Sequence, residues 1–189
     1  MSAQPHFRSR DEGQRERVVH VVQGEYAVAE RGGVVLNTIL GSCIATCMRD
    51  PVTGIGGMNH FLLPGDENET STSMRYGVNA MELLINALIQ RGAVRSRLEA
   101  KLFGGANVMN NLSDIGAKNA VFAQKFLEAE GIACVGKSLG GTQARRVRYW
   151  PETGRAAQML VDSSMANLVS IERAKPVAPP PPSGDLELF

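Results

Sequence analysis

The feature that most restricts this chain is one turn set between two apolar, β-prone runs. Asp50-Pro51-Val52-Thr53-Gly54 puts proline where it presets φ and ends on a glycine, a turn signature. Residues 43–49 and 55–63 on either side must then fold back on each other as antiparallel strands. Hairpin geometry decides which side chains meet. With Pro51-Val52 as a two-residue loop, Cys43 lies directly opposite His60, on the same face, with Cβ atoms ~4.5–5.5 Å apart. If Gly54 closes a longer loop, pairing slips by one, Cys43 faces Phe61 and His60 turns to the other face. A bulge at Gly56-Gly57 would restore the first pairing, because glycine tolerates bulges. Both registers stay open at the level of sequence.

The chemistry of this segment depends on that register. Gly41-Ser42 lets the chain turn tightly before Cys43 and presents the backbone N–H groups of residues 42 and 43, a pair able to hold an oxyanion. A histidine beside the thiol would take its proton and make it a nucleophile. The competing reading is structural: Cys43 as a small buried hydrophobe and His60 as a satisfied strand residue. Cys47 shares the face of Cys43, but positions i and i+4 of a strand are roughly 13 Å apart, too far for a disulfide. Cys134, within Ile-Ala-Cys-Val, reads as core, His20 within VVHVV as a packed strand residue, and His6 as part of a loose arm.

Along the rest of the chain the period alternates. Residues 18–22 and 34–40 read as strands, as do 98–103 and 132–137. Apolar positions Val78, Met81, Leu84, Ile85 and Leu88 predict a helix over 72–91, capped by Ser or Thr at 71–73 and stopped by Gly92. A second helix is expected over 116–130, stopped by Gly131. A hairpin across 145–161 and a short helix over 164–173 complete the domain. This is an α+β pattern: mixed, largely antiparallel sheets with two main helices packed on them. Residues 1–17 read as a disordered arm, 18–173 as the domain, and 174–189 as a proline-rich tail. The tail ends in Asp185-Leu-Glu-Leu-Phe189, read either as a solvated end or as a short docking peptide.

Composition narrows the function classes. A net charge of +1 gives no electrostatic case for nucleic-acid binding. No apolar run approaches the ~18 residues of a membrane span, and the first residues lack the hydrophobic core of a signal peptide. A cytoplasmic location with no direct membrane insertion is expected. Three histidines and no Cys-x-x-Cys pair argue against a structural zinc site.

Several separated segments resemble one family. LGSCIATCMRDPVTGIGGMNHFLLP (40–64), GEYAVAE (24–30), MRYGVNAMELLINALIQRGA (74–93), KLFGGANVM (101–109), IGAKNA (115–120) and SLGGTQARRVRY (138–149) look, in this order, like CheD, the chemoreceptor glutamine deamidases of bacterial chemotaxis. The resemblance implies a catalytic Cys43 and His60 with an upstream threonine. Thr38 stands five residues before the cysteine, while the family position reads one residue earlier, where this chain has Asn37. It also implies a fold like the catalytic domains of cytotoxic necrotizing factors. Gly41 and Ser42 would form the oxyanion and substrate-binding turn, and Phe103-Gly-Gly-Ala-Asn107 either borders the cleft or is a tight turn. The expected substrates are glutamines on chemoreceptor cytoplasmic helices, the expected partner a CheC-type phosphatase, with no metal or organic cofactor. A receptor glutamyl methylesterase and a non-catalytic adaptor are the alternatives.

Overall fold

A computed structural model describes residues 16–30, 32–63, 70–108 and 115–161. The expected 164–173 helix, the tail, His6 and most of the N-terminal arm lie outside those residues. The described elements run β1 (Arg17–His20), β2 (Tyr26–Ala29), β3 (Val34–Leu40), β4 (Ile44–Arg49), β5 (Gly56–Phe61), α1 (Thr70–Gln90), a 3₁₀ turn (Arg95–Arg97), β6 (Glu99–Gly104), α2 (Ile115–Ala129), β7 (Ala133–Leu139), β8 (Ala144–Trp150) and β9 (Arg155–Val161). The α+β expectation holds, and the expected strands and helices that fall on described residues start and end within two residues of their forecast bounds. β2 was not expected, because four residues give alternation too little length to register. α1 begins at Thr70, ahead of the residues expected to cap it.

Two sheets stack, one in the order β1-β3-β8-β9 and the other β2-β5-β4-β6-β7. Among the described residues only the β1–β3 and β6–β7 pairs are parallel. The helices cover the outer face of the five-stranded sheet, so β4 and β5 are buried nearly throughout. Alternation then sorts their side chains. Ile44, Met48 and Phe61 pack with Met81, Leu84, Leu88 and Phe122 under the helices. Cys43, Ala45, Cys47 and Met58 pack with Leu36, Leu40, Val147 and Tyr149 between the sheets. Each layer excludes water from one face of the central strands, and burying side chains of this size is worth about 1.5–3 kcal/mol apiece.

The β4–β5 register corrects both sequence forecasts. Ala45, not Cys43, pairs with His60, and the ladder runs without a bulge from Ile44↔Phe61 to Arg49↔Gly56. The loop is longer than a two-residue turn. Asp50 N–H donates to Ile55 O at 2.9 Å, Gly54 N–H donates to Asp50 O at 3.0 Å, and Gly54 takes φ +72°. The Asp50 carboxylate holds the loop by accepting Val52 N–H, Val94 N–H and the Arg97 guanidinium. A two-residue displacement keeps the side chains on their original faces. Cys43 and His60 therefore still share a face, as diagonal neighbours.

Two further expectations fail. Cys134 is exposed, because β7 is an edge strand with no fully buried position. His20 is exposed on β1 and meets Asn37 Nδ2 through Nδ1 at 3.1 Å.

Gly104, at φ +112°, is where backbone freedom matters most: a Cβ there would lie 2.1 Å from the Cys43 carbonyl oxygen. Gly104→Ala is expected to cost about 1–3 kcal/mol in left-handed strain, with the clash adding to it, as urea unfolding would measure. Wild-type stability in that variant would contradict the close approach.

Candidate active site

Between Leu40 and Ile44 the chain leaves one sheet and enters the other in three residues, Gly41-Ser42-Cys43. Such a short crossing has to be held by its carbonyls. Gly41 O accepts Ala106 N–H at 2.9 Å and Cys43 O accepts Gly105 N–H at 2.8 Å. Ser42 O accepts the Asn119 side-chain amide at 2.8 Å, while Asn119 Oδ1 accepts Leu63 N–H at 2.9 Å. The Phe103–Asn107 stretch thus borders the cysteine turn directly. In a trans peptide the N–H points opposite the C=O of the same unit. The Ser42 N–H is therefore directed away from Ala106, and the Cys43 N–H away from Asn119.

Behind this turn Arg145, buried on β8 beside Leu40, donates to Ser138 O at 2.7 Å and to Gly140 O. Gly140 N–H in turn donates to Gly104 O at 2.9 Å. Burial lowers the pKa of Arg145 from its ordinary value.

His60 is 4% exposed, Thr38 4% and Cys43 5%. The Thr38 hydroxyl donates to Val21 O at 2.7 Å and contacts His60 Nδ1 at 2.9 Å. A hydroxyl has one hydrogen. Since it goes to Val21, Thr38 can only accept from the ring, so Nδ1 carries the proton and Nε2 is the bare acceptor of the neutral imidazole. Nδ1 also lies 3.3 Å from Val21 O, a second acceptor for the same hydrogen. His60 Nε2 has no hydrogen-bond partner among the described residues. Asn37, the neighbour of Thr38, faces His20 instead. Strand alternation thus brings Thr38, rather than Asn37, to the histidine.

Burial lowers the His60 pKa to about 4, with the Val21 carbonyl pulling weakly the other way. Burial pushes the Cys47 thiol well above its ordinary range, leaving it inert. The Cys43 sulfur donates to Gln23 Oε1 at 3.4 Å, although Gln23 is itself exposed. The buried thiol thus meets a side chain that reaches the protein surface. No disulfide involves Cys43, Cys47 or Cys134.

Sequence reasoning missed Asn119 and Gln23. Asn119 carried a signal, since it stands on the apolar stripe of α2 with Phe122, Ala123 and Phe126, where a polar residue requires partners. Gln23 carried none, because its role depends on a turn from another element reaching the thiol.

A folded ring that resists protonation makes stability depend on pH. The unfolded histidine titrates near 6.5, so the unfolded chain binds the extra proton first as pH falls. The contribution is complete above that value and is lost on the way down to about 4, roughly 3 kcal/mol in all. The Asp50 carboxyl is held well below the usual carboxylate range, chiefly by its hydrogen bond with Arg97, so its loss belongs to more acid solutions. Urea unfolding at successive pH values should show this decline, and His60→Gln should flatten it. Wild-type stability unchanged across the window would contradict a buried neutral ring.

A family model described as "CheD chemotactic sensory transduction" matches residues 62–159. A Caulobacter sp. (strain K31) protein named "Probable chemoreceptor glutamine deamidase CheD" is 56% identical over 174 residues, covering 90% of this chain and 92% of that protein. A protein of the same name from Caulobacter vibrioides (strain NA1000 / CB15N) is 53% identical over 184 residues, covering 95% and 97%. The crystal structure of the Bacillus licheniformis hypothetical protein YfiH aligns with TM-score 0.42 and 14% identity, over 68% of this chain and 61% of that one.

Proposed function

This chain belongs to the CheD family, and from that premise we propose that it is a protein-glutamine deamidase of chemotaxis, with Cys43 as nucleophile and His60 as general base. Its substrates are glutamine side chains on the cytoplasmic helices of chemoreceptors, which places the enzyme in the cytoplasm. A CheC-type phosphatase is the further partner that the family resemblance implies. The observation that carries the catalytic assignment is the bare Nε2 of His60, buried and without a partner among the described residues, on the same face as the Cys43 thiol.

The reaction follows from these groups. His60 Nε2 takes the Cys43 proton, and the thiolate attacks the substrate Cδ. The N–H groups of Ser42 and Cys43, turned away from the partners that hold the adjoining carbonyls, receive the oxyanion. The imidazolium gives its proton to the departing amine, which leaves as ammonia, and a thioester remains. His60 then deprotonates a water that attacks the thioester, and the sulfur leaves as the thiol with glutamate as product. Thr38 acts through the histidine by holding Nδ1–H in place, so that every proton transfer runs through Nε2. Neutral His60 is the form that this base requires, and burial keeps it neutral at physiological pH. The product gains one negative charge on a helix surface, enough to bias a receptor balanced between two states.

Incubation with a receptor cytoplasmic fragment should add about 1 Da per modified glutamine, and Cys43→Ala should abolish that gain. Thr38→Val is expected to lower kcat about tenfold or more, with Thr38→Ser restoring most of it. Deamidation that persists in Cys43→Ala would refute the nucleophile, and full kcat in Thr38→Val would refute the tautomer lock.

A further inference from the structure

Gln23 belongs to no catalytic motif, yet its carboxamide oxygen accepts the Cys43 thiol at 3.4 Å. Its backbone is fixed. Glu25 N–H donates to Val22 O at 3.0 Å across a turn with Gly24 at φ +88°. Gly24 N–H donates to His60 O at 2.7 Å, and His60 N–H donates to Glu25 O at 3.0 Å. On the other side Val21 O holds Thr38 and lies beside His60 Nδ1. The turn is thus pinned at both ends to the proposed general base, while the Gln23 side chain is exposed and can rotate on its own bonds into solvent.

A primary carboxamide on a two-carbon stem is the group that a glutamine deamidase must bring to this sulfur. We propose that Gln23 holds the place of the substrate: in the resting enzyme its carboxamide occupies the subsite of the incoming glutamine, and it swings outward when that glutamine enters. This rests on the reading of Cys43 as a deamidase nucleophile. The contact binds without reacting. A donor approaches a carbonyl oxygen near the amide plane, whereas a nucleophile must come over the face of the carbon. While its proton is engaged by Gln23, the thiol does not deliver it to His60 Nε2. The same side chain shields a buried thiol from small electrophiles, and an arriving glutamine replaces one carboxamide contact with another.

The test uses the full-length protein and iodoacetamide, with alkylation of Cys43 followed by peptide mass so that exposed Cys134 is scored separately. Gln23→Ala should label Cys43 about fivefold faster than wild type, the size of one net hydrogen bond. Gln23→Glu, whose carboxylate accepts the thiol hydrogen more strongly, should label more slowly than wild type. On a receptor cytoplasmic fragment, Gln23→Ala should lower KM severalfold with kcat within about twofold. A residue that merely braces the turn would lower kcat without speeding alkylation. Unchanged or slower labelling in Gln23→Ala, or conversion of Gln23 to glutamate in the wild-type protein, overturns the inference. If deamidation is lost in Cys43→Ala while labelling is unaffected by Gln23→Ala, this inference alone fails. Faster labelling in a protein that deamidates no receptor fragment overturns the function proposed for the site, and with it the substrate's place assigned to Gln23, and leaves only its shielding of the thiol.

Discussion

One backbone carbonyl, that of Val21, decides the chemistry open to this site. It takes the only hydrogen of the Thr38 hydroxyl and so obliges that hydroxyl to accept from His60. The imidazole is thereby fixed as one tautomer and its orientation set by a strand of the opposite sheet. A buried histidine free to change tautomer would at times present a donor at Nε2, where a base needs a bare nitrogen. Three residues from three strand or turn segments thus form one hydrogen-bonded unit around the ring.

The fold supplies that unit through its two-sheet architecture. Thr38 comes from β3 in one sheet and His60 from β5 in the other, and the chain passes between the sheets at Gly41-Ser42-Cys43. The crossing that makes the sandwich is the same turn that carries the thiol. Its carbonyls are anchored by Gly105, Ala106 and Asn119, so its amides face the opposite way. Cys43 and Cys47 both lie in the layer between the sheets, but Cys43 meets the exposed Gln23, whereas burial pushes the Cys47 thiol well above its ordinary range.

Much of this was legible in the sequence because the hairpin sorts its residues by parity. A shared face for Cys43 and His60 belonged to one of the two registers the sequence left open, and the turn at Asp50–Gly54 was readable. The pairing itself was not, because Asp50 binds loop amides and Arg97 in a way that no local rule encodes, lengthening the loop and moving the register by two. Which of Thr38 and Asn37 reaches His60 depends on which face of β3 meets the second sheet, a tertiary fact. Cys134 misled because an apolar run in an edge strand looks the same as one in a core strand. Gln23 was invisible for the converse reason: a polar residue before a glycine reads as an ordinary turn until another sheet is placed beneath it.

The most direct measurement is long-range ¹H–¹⁵N correlation of the His60 ring in the full-length protein near neutral pH. The account predicts a neutral ring with its hydrogen on Nδ1 and a bare Nε2, and loss of that single form in Thr38→Val. A ring protonated at Nε2, or a mixture of tautomers in the wild-type protein, would contradict it.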